Sequence, residues 1–413
     1  MSDAAFATHR CRFCGSTLDH VFADLGVTPL ANRNLKPGEI AGEVSYPLVA
    51  RVCGSCLLVQ VDDSVPPEAI FSDYDYFSST SSGWVAHAQR YCEEMRARFG
   101  LGTGSLVVEV ASNDGYLLQH FAAAGVPVFG VEPAVNVAAA AIAKGIPTEV
   151  AFFGAETARR LAARGRKADL MVANNVLAHV PGIRDFVTGF AELLSGEGVA
   201  TFEFPHVMSL IDDVQFDTIY HEHFFYLSLH AAEQVMASAG LRVFDVAQLP
   251  THGGSLRLFV CHERANHIAT ARLAELRTHE RARQLDSIAG YAGLGDRIAA
   301  TKAGFLDFLA RARAEERLIA AYGAAAKGNT FLNVCGVAYP EIKAVYDRNQ
   351  VKQGKVTPGS HVPILAPERI EELKPDYLLI LPWNIADEIV ASLPVLRDWG
   401  GRFVTAVPSV SIF

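Results

Sequence analysis

The chain has 413 residues, half of them apolar and a fifth charged, enough for two or three domains with sizeable cores and too apolar for disorder. A formal net charge of −9 argues against a polyanionic partner such as DNA or RNA, and leaves room for a small anionic ligand in one basic pocket. The first ten residues, MSDAAFATHR, hold no apolar signal core, and the most apolar stretch is broken by Gly, Pro and Glu132; a cytoplasmic protein without a membrane partner is expected.

Seven cysteines in such a chain are expected to be reduced thiols. Four of them form two C-x-x-C knuckles, Cys11 with Cys14 and Cys53 with Cys56. Four thiolates facing one another suit a closed, structural zinc site, against which stand a disulfide pair or unligated core thiols. The stretch DLGVTPLANRNL between the knuckles holds turn residues and few strand signals, so a loop is expected there. Cys92, Cys261 and Cys335 stand alone in apolar surroundings and read as buried thiols.

From Ser105 the pattern alternates. SLVVEV, VPVFGVEP, ADLMVANN and VATFEF read as buried parallel strands; YLLQHFAAAG, AVNVAAAAIAKG and IRDFVTGFAELLSGEG read as the helices between them. This predicts a doubly wound α/β sheet with its ligand at the carboxyl ends of the strands. The turn after the first strand lacks G-x-G-x-x-G and runs Glu109-Val-Ala111-Ser-Asn113-Asp114-Gly115. Small residues at Ala111 and Gly115 allow a ligand close to the backbone, and Glu132 at the tip of the second strand can accept both hydroxyls of a ribose. That layout suits S-adenosylmethionine, which has a ribose and no pyrophosphate. Phe152 and Phe153 are candidate walls for its adenine.

The segment TIYHEHFFYLS follows VATFEF and crowds Tyr220, His221, Glu222 and His223 together. His221 and His223 lack both H-E-x-x-H spacing and a visible third ligand, so a proton-transfer site is favoured over a catalytic metal. Phe224, Phe225 and Tyr226 are most simply core or cleft wall. His252, Gly253, Gly254 and Ser255 are expected to line the same cleft, the glycines permitting close backbone approach. A helical region rich in Ala, Arg, Glu and Leu follows, and then a second alternation: RLIAAYG, AAAKGNTFLNVCG, IKAVYD, DYLLIL, NIADEIVASL, GRFVTAV. The turn Gly323 to Thr330 opens a helix, so its amides and Lys327 can hold a diphosphate; a plain strand–helix turn with a surface lysine is the other reading.

CRFC, YDYFSSTSS, EVASNDG, ANNVLAHV, IYHEHFFYLS, HGGSLR and YGAAAKGNT, in that order, resemble the sugar C-methyltransferases that act on nucleotide-linked 4-keto-deoxyhexoses, from Cys11 to about Pro408. The resemblance is nearest to the antibiotic-sugar C-3′ enzymes, with a C-5′ enzyme as the other member. It implies a zinc-binding domain over 1–72, an S-adenosylmethionine-binding methyltransferase domain over 73–263 and a C-terminal Rossmann-like sugar-nucleotide domain over 264–413. His223 is then the base that takes the sugar proton, Tyr220 and Glu222 its polar neighbours, and His179 the group that polarises the ketone, unless the two histidines exchange roles. Tyr74 or Tyr76 caps the site. Asn174 and Asn175 join the donor site; Tyr322, Lys327, Gly328, Asn329 and Thr330 join the sugar-nucleotide site. The implied partner is a dTDP-linked 4-keto-deoxysugar, bound by a monomer or small homo-oligomer. An RNA or protein methyltransferase with a zinc ribbon, and a catalytically silent nucleotide-sugar binder, are the competing readings; the acidic balance opposes the first and the full set of candidate site residues opposes the second.

Overall fold

Three sheets organise the computed structural model, which describes residues 9–62, 65, 77–165 and 167–413. Tyr74 and Tyr76 lie outside the described residues.

The first sheet is antiparallel and carries the cysteine knuckles at its edge. It contains β1 (His20–Pro29), β2 (Ser45–Val52), β3 (Val59–Val61) and, from far along the chain, β9 (Phe225–Tyr226), in the order β1-β2-β3-β9. β1 corrects the expected loop. Phe22, Ala23 and Leu25 are buried, and the strand packs on the helices Leu294–Ala314 and Ala326–Cys335. Two register shifts along β1 absorb residues such as Gly26 (φ 76°), so tertiary packing overrides weak strand propensity. β9 shows that Phe225 and Tyr226 are more than core: they pair with Gln60 and Val59 and tie the His221–His223 segment to the cysteine lobe.

The second sheet has the order β10-β11-β8-β7-β4-β5-β6. Its parallel members are β4 (Val107–Val110), β5 (Val128–Val131), β6 (Thr148–Glu149), β7 (Ala168–Asn174) and β8 (Leu194–Pro205), and β11 (Ser255–His262) runs antiparallel between β8 and β10 (Leu241–Leu249). Continuous apolar strands such as VVEV, buried at all four positions, require cover on both faces. The helices Ile183–Leu193 and Leu229–Ala237 supply it on one side, and Ser82–Phe99 and Leu118–Ala123 on the other. The predicted helix IRDFVTGFAELLSGEG ends early, at Leu193, because β8 already begins at Leu194.

The third sheet, β14-β13-β12-β15-β16-β17, comprises β12 (Ile319–Tyr322), β13 (Val345–Tyr346), β14 (Ile364–Leu365), β15 (Tyr377–Ile380) and β16 (Arg402–Thr405) in parallel, with β17 (Ser411–Ile412) antiparallel at its edge. A cysteine-knuckle module followed by two doubly wound α/β sheets is therefore the architecture. One apolar cluster joins residues of β1 and β2 to Phe216, Ile219 and the third sheet, and another joins the knuckle cysteines to the second sheet, so the cysteine lobe packs on both α/β units. Among the described residues no helix is long and apolar enough to cross a membrane.

Candidate active site

In the second sheet the chain runs outward through β5 and β6 before returning to β7, so the order reverses between β4 and β7. Such a reversal opens a crevice at the carboxyl ends of the strands. After β4 the backbone turns through Ala111 and Asn113 with φ of 53° and 49°. Asn175 (φ 55°), after β7, and His252 (φ 56°), between β10 and β11, share this left-handed conformation, which costs on the order of 1–3 kcal/mol at a non-glycine residue and collects at functional sites.

Glu132, at the tip of β5, braces the first turn. Its two carboxylate oxygens accept the Asn113 amide at 2.9 Å and the Ala134 amide at 2.8 Å, each keeping a lone pair for a ribose hydroxyl. Burial raises the pKa of Glu132 and raises that of Glu109 further, and one Glu109 oxygen has no partner among the described residues. These half-used and orphaned acceptors fit the hydroxyl and amino donors of S-adenosylmethionine. Asn174, at the end of β7, is buried beside them.

Other predicted donor residues have different work. Asn113 Oδ1 accepts the Ser78 amide at 2.9 Å, while Asp114 binds the Ser79 hydroxyl and, at 3.0 Å, Lys144 Nζ. Both therefore anchor the segment that follows Tyr76. Gly115 (φ 76°) was expected to admit a ligand; instead a Cβ there would stand 3.1 Å from Ile146, so its smallness serves helix packing. Phe153 is half-buried, its ring packing edge-on against Phe186 and Phe190 at the margin of the core. Phe152 is 71% exposed on the same loop.

Opposite stands the histidine pair. The His179 and His223 rings meet edge-to-face with centroids 4.6 Å apart. His223 Nδ1 lies 3.1 Å from the Thr218 carbonyl and His179 Nδ1 lies 2.8 Å from the Glu222 carbonyl. A carbonyl only accepts, so each Nδ1 carries the proton and each Nε2 presents a lone pair. His223 Nε2 accepts the Tyr220 hydroxyl at 2.7 Å. Burial, reinforced by His179, holds the His223 pKa well below the ordinary imidazole value, and burial lowers that of His179. Two neutral imidazoles thus face each other, and the His223 lone pair is free to take a proton once the Tyr220 hydroxyl turns away. His221 is turned away, with Nε2 3.1 Å from the Pro47 carbonyl of the cysteine lobe. Glu222 accepts the Asn32 amide and side chain, both at 3.3 Å; burial raises its pKa.

His252 lies on the rim beyond, its Nε2 accepting from Asn175 Nδ2 at 3.0 Å, and burial followed by the charge of Lys327 lowers its pKa to about 4. A Cβ on Gly253 would overlap the Trp383 ring, and one on Gly254 would overlap Ser209. Ser255 donates to the Thr251 carbonyl at 2.9 Å and shapes the turn. Lys327 is no surface lysine: it donates to Asn384 Oδ1 at 2.6 Å and lies near enough to influence His223, His252 and Asp217. The other residues expected around it belong elsewhere. Tyr322 points to the opposite face of β12, among Tyr346, Ile370 and Leu378, because alternate side chains of a strand face opposite ways. Gly328 lets its helix approach Leu381 (a Cβ would stand 2.6 Å away), Asn329 is wholly buried and donates to the Ala31 carbonyl at 2.8 Å, and Thr330 is buried beside it.

The four knuckle sulfurs all lie within 4.8 Å of one another, with Cys11–Cys56 at 3.6 Å and Cys14–Cys53 at 3.4 Å. Zinc–sulfur bonds of about 2.3 Å in a tetrahedron need sulfurs at just such spacing. The site fits zinc as a closed structural ion. Cys92, Cys261 and Cys335 are buried free thiols, as expected.

The sequence pattern did not disclose Trp84, which stacks on His87 (4.9 Å) and meets His252 edge-on (5.5 Å), nor Asp217 and Trp383, which hydrogen-bond at 2.7 Å. A tryptophan after a predicted strand end, as in LILPW, was the available signal for the last of these.

Comparison with known proteins bears on this geometry. Three family profiles match: "C-methyltransferase C-terminal domain" over residues 250–408, "Methyltransferase domain" over 84–246 and "Putative zinc binding domain" over 11–71. The C-methyltransferase NovU of Streptomyces niveus is 36% identical over 411 residues, 99% of this chain and 97% of NovU. Among solved structures, magnesium protoporphyrin IX methyltransferase of Synechocystis with bound S-adenosylmethionine aligns at 15% identity and a TM-score of 0.33, covering 47% of this chain and 88% of that one. An S-adenosylmethionine-dependent methyltransferase of Clostridium acetobutylicum aligns at 12% identity and 0.35, covering 47% and 95%. Those two likenesses are too slight to carry an argument.

Proposed function

Because the chain belongs to the C-methyltransferase family that its motifs resemble, and is an S-adenosylmethionine-dependent enzyme with a structural zinc site, we propose that it methylates C-3′ of a dTDP-linked 4-keto-deoxysugar. The observation that carries this reading is the pair of half-buried, neutral imidazoles, His179 against His223, with the His223 Nε2 lone pair beside Tyr220. A carbon next to a ketone must lose a proton before it can attack a methyl group, and that step needs a neutral base near pH 7 in a site poor in water.

His223 Nε2 takes the C-3′ proton, the C–H pair moves toward the 4-keto oxygen, and the resulting enolate carbon forms the new C–C bond. Bound S-adenosylmethionine supplies an electrophilic methyl carbon on a sulfur that leaves as a neutral thioether. Tyr220 holds His223 oriented and, as the proton moves, turns its hydroxyl to the 4-keto oxygen, and Glu222, whose pKa burial raises, hydrogen-bonds the enolate side while it keeps its proton. His179, with its Nδ1 proton held by the Glu222 carbonyl, has only an Nε2 lone pair to offer and stands as the alternative base. Glu132 holds the donor ribose. The sugar nucleotide lies toward His252 and the loop Gly253–Gly254, between the second and third sheets. The division into a zinc-binding domain (1–72), a donor domain (73–263) and a sugar-nucleotide domain (264–413) belongs to the same proposal.

Incubation with methyl-labelled donor and a panel of dTDP-4-keto sugars, RNA and peptide tests it. Label should enter one deoxysugar, at C-3′. Label in RNA or peptide, or at C-5′, would overturn the substrate or the position.

A further inference from the structure

Trp383 and Lys327 leave the third sheet at the ends of β15 and β12, yet both finish beside the segment that carries His223. The indole Nε1 of Trp383 donates to Asp217 Oδ2 at 2.7 Å, and Asp217 is fully buried with its second oxygen unpartnered among the described residues. Lys327 Nζ lies over the Trp383 ring, 4.6 Å from its centroid. Cation, indole and carboxylate thus form one line across the junction of the two α/β units, half-buried at Lys327 and Trp383 and fully buried at Asp217. Gly253 is the other side of this contact, since any side chain there would displace the indole, and Gln215 Nε2 pins the Gly253 carbonyl at 2.7 Å. Asp217 immediately precedes Thr218, whose carbonyl holds the His223 Nδ1 proton.

We propose that Trp383, Lys327 and Asp217 are positioning residues for methyl transfer: the third sheet grips the Phe216–Thr218 turn through the Asp217 carboxylate and sets a fixed cation beside the catalytic imidazoles. The inference rests on the reading of His223 as base. His223 faces His179 from the turn after β7, Tyr220 and Tyr226 from its own segment, His252 from the β10–β11 turn and Lys327 from the third sheet. Of these groups Lys327 alone is an amine whose protonated form is held by a neighbouring carboxylate, and its charge opposes protonation of His252 and, after burial and His179, of His223. Asp217 opposes the loss of the Lys327 proton that burial favours. A lysine whose task were to bind diphosphate would behave differently: its loss would weaken the sugar nucleotide and leave the imidazole titration where it was.

The test is the titration of the His223 ring, followed by NMR in the ligand-free full chain, in Lys327→Met, Lys327→Arg and Trp383→Phe, with the dTDP-sugar Kd measured alongside. Lys327→Met should move the His223 midpoint to higher pH and slow deuterium wash-in at the sugar carbon on the order of tenfold near pH 6, while Kd changes less than about threefold. Lys327→Arg should restore the midpoint. Trp383→Phe keeps an aromatic ring for the ammonium and removes the N–H to Asp217 together with part of the indole; it should slow wash-in with Kd preserved, and it serves if Lys327→Met does not fold. An unmoved midpoint with Kd weakened more than about tenfold would assign Lys327 to phosphate and overturn the proposal; wild-type wash-in by Trp383→Phe would overturn the role of the indole. The ring titration needs no substrate, so a wild type that washes label into no sugar counts against the proposed reaction and leaves the titration to decide this inference.

Discussion

The two α/β units solve the same local problem with opposite results. In each, a carboxylate at the tip of the second strand braces the turn after the first: Glu132 accepts the Asn113 amide at 2.9 Å, and Asp347 accepts the Ala324 amide at 2.8 Å. At Glu132 the second contact is another backbone amide, and among the described residues no cation pairs with it. At Asp347 a lysine closes the arrangement: Lys352 Nζ lies 3.8 Å from the carboxylate and donates to the Ala324 carbonyl at 2.7 Å. The donor-side turn keeps open acceptors, whereas the C-terminal turn fills them from its own chain. A nucleotide-type turn can therefore survive as scaffold once a side chain takes the ligand's place, and two Rossmann-like sheets need not mean two cofactors.

The largest effect should come from the reacting edge of the donor unit. His223→Asn keeps shape and one hydrogen bond but cannot take a proton near neutral pH, so turnover should fall on the order of 10²–10⁴ with both ligands still bound. Deuterium wash-in without methyl donor isolates the step. Wild-type wash-in by His223→Asn together with none by His179→Asn would exchange the two roles.

Zinc removal should strike both α/β units alike, because the cysteine lobe touches each: Asn32 binds Glu222, and Ala31 binds Asn329. Purified protein should carry about one zinc per chain, and Cys11→Ser should cost several kcal/mol of stability while the folded fraction keeps its turnover. Metal-free protein of full stability, measured by thermal unfolding, would contradict the site.

Glu132→Ala against Asp347→Ala sharpens the comparison directly. The first should weaken S-adenosylmethionine by roughly 1–3 kcal/mol by calorimetry and leave the sugar nucleotide unmoved. The second should leave donor affinity within about 0.5 kcal/mol. Equal losses would show that the C-terminal turn is not closed in solution.

The smallest effect is one of pH. His223 titrates lower in the folded chain than free imidazole, so the neutral base persists as pH falls past about 6.5 and is lost only near its own folded value. Wash-in should stay level from pH 8 through about 6.5 and decline only well below that, toward the depressed His223 pKa. Decline centred on the free-imidazole value of about 6.5 would mean that the base is solvated.

Much of this protein was determined by short sequence signals. Paired C-x-x-C knuckles specify four sulfurs for one ion because each knuckle orients its own two thiols. Runs such as SLVVEV followed by a turn and an amphipathic stretch specify an α/β sheet because strand and helix periods are written in adjacent residues. Glu132 was legible for the same reason, as an acid at a strand tip, and so was the crowding of Tyr220, Glu222 and His223.

What tertiary structure alone decided depends on residues far apart in the chain. β1 reads as a loop until helices from the third unit bury Phe22 and Leu25. Tyr322 is one residue from the turn that leads to Lys327, yet strand alternation sends it to the other face. Phe153 packs against the core because Gly189 leaves space for its ring. Asp217 and Trp383 are separated by 166 positions and meet because two sheets pack across one hydrophobic cluster. Local patterns encode which elements form, since they depend on neighbours within a few residues; which side chains face one another across the cleft follows from how whole sheets pack, and no short window of the chain contains that information.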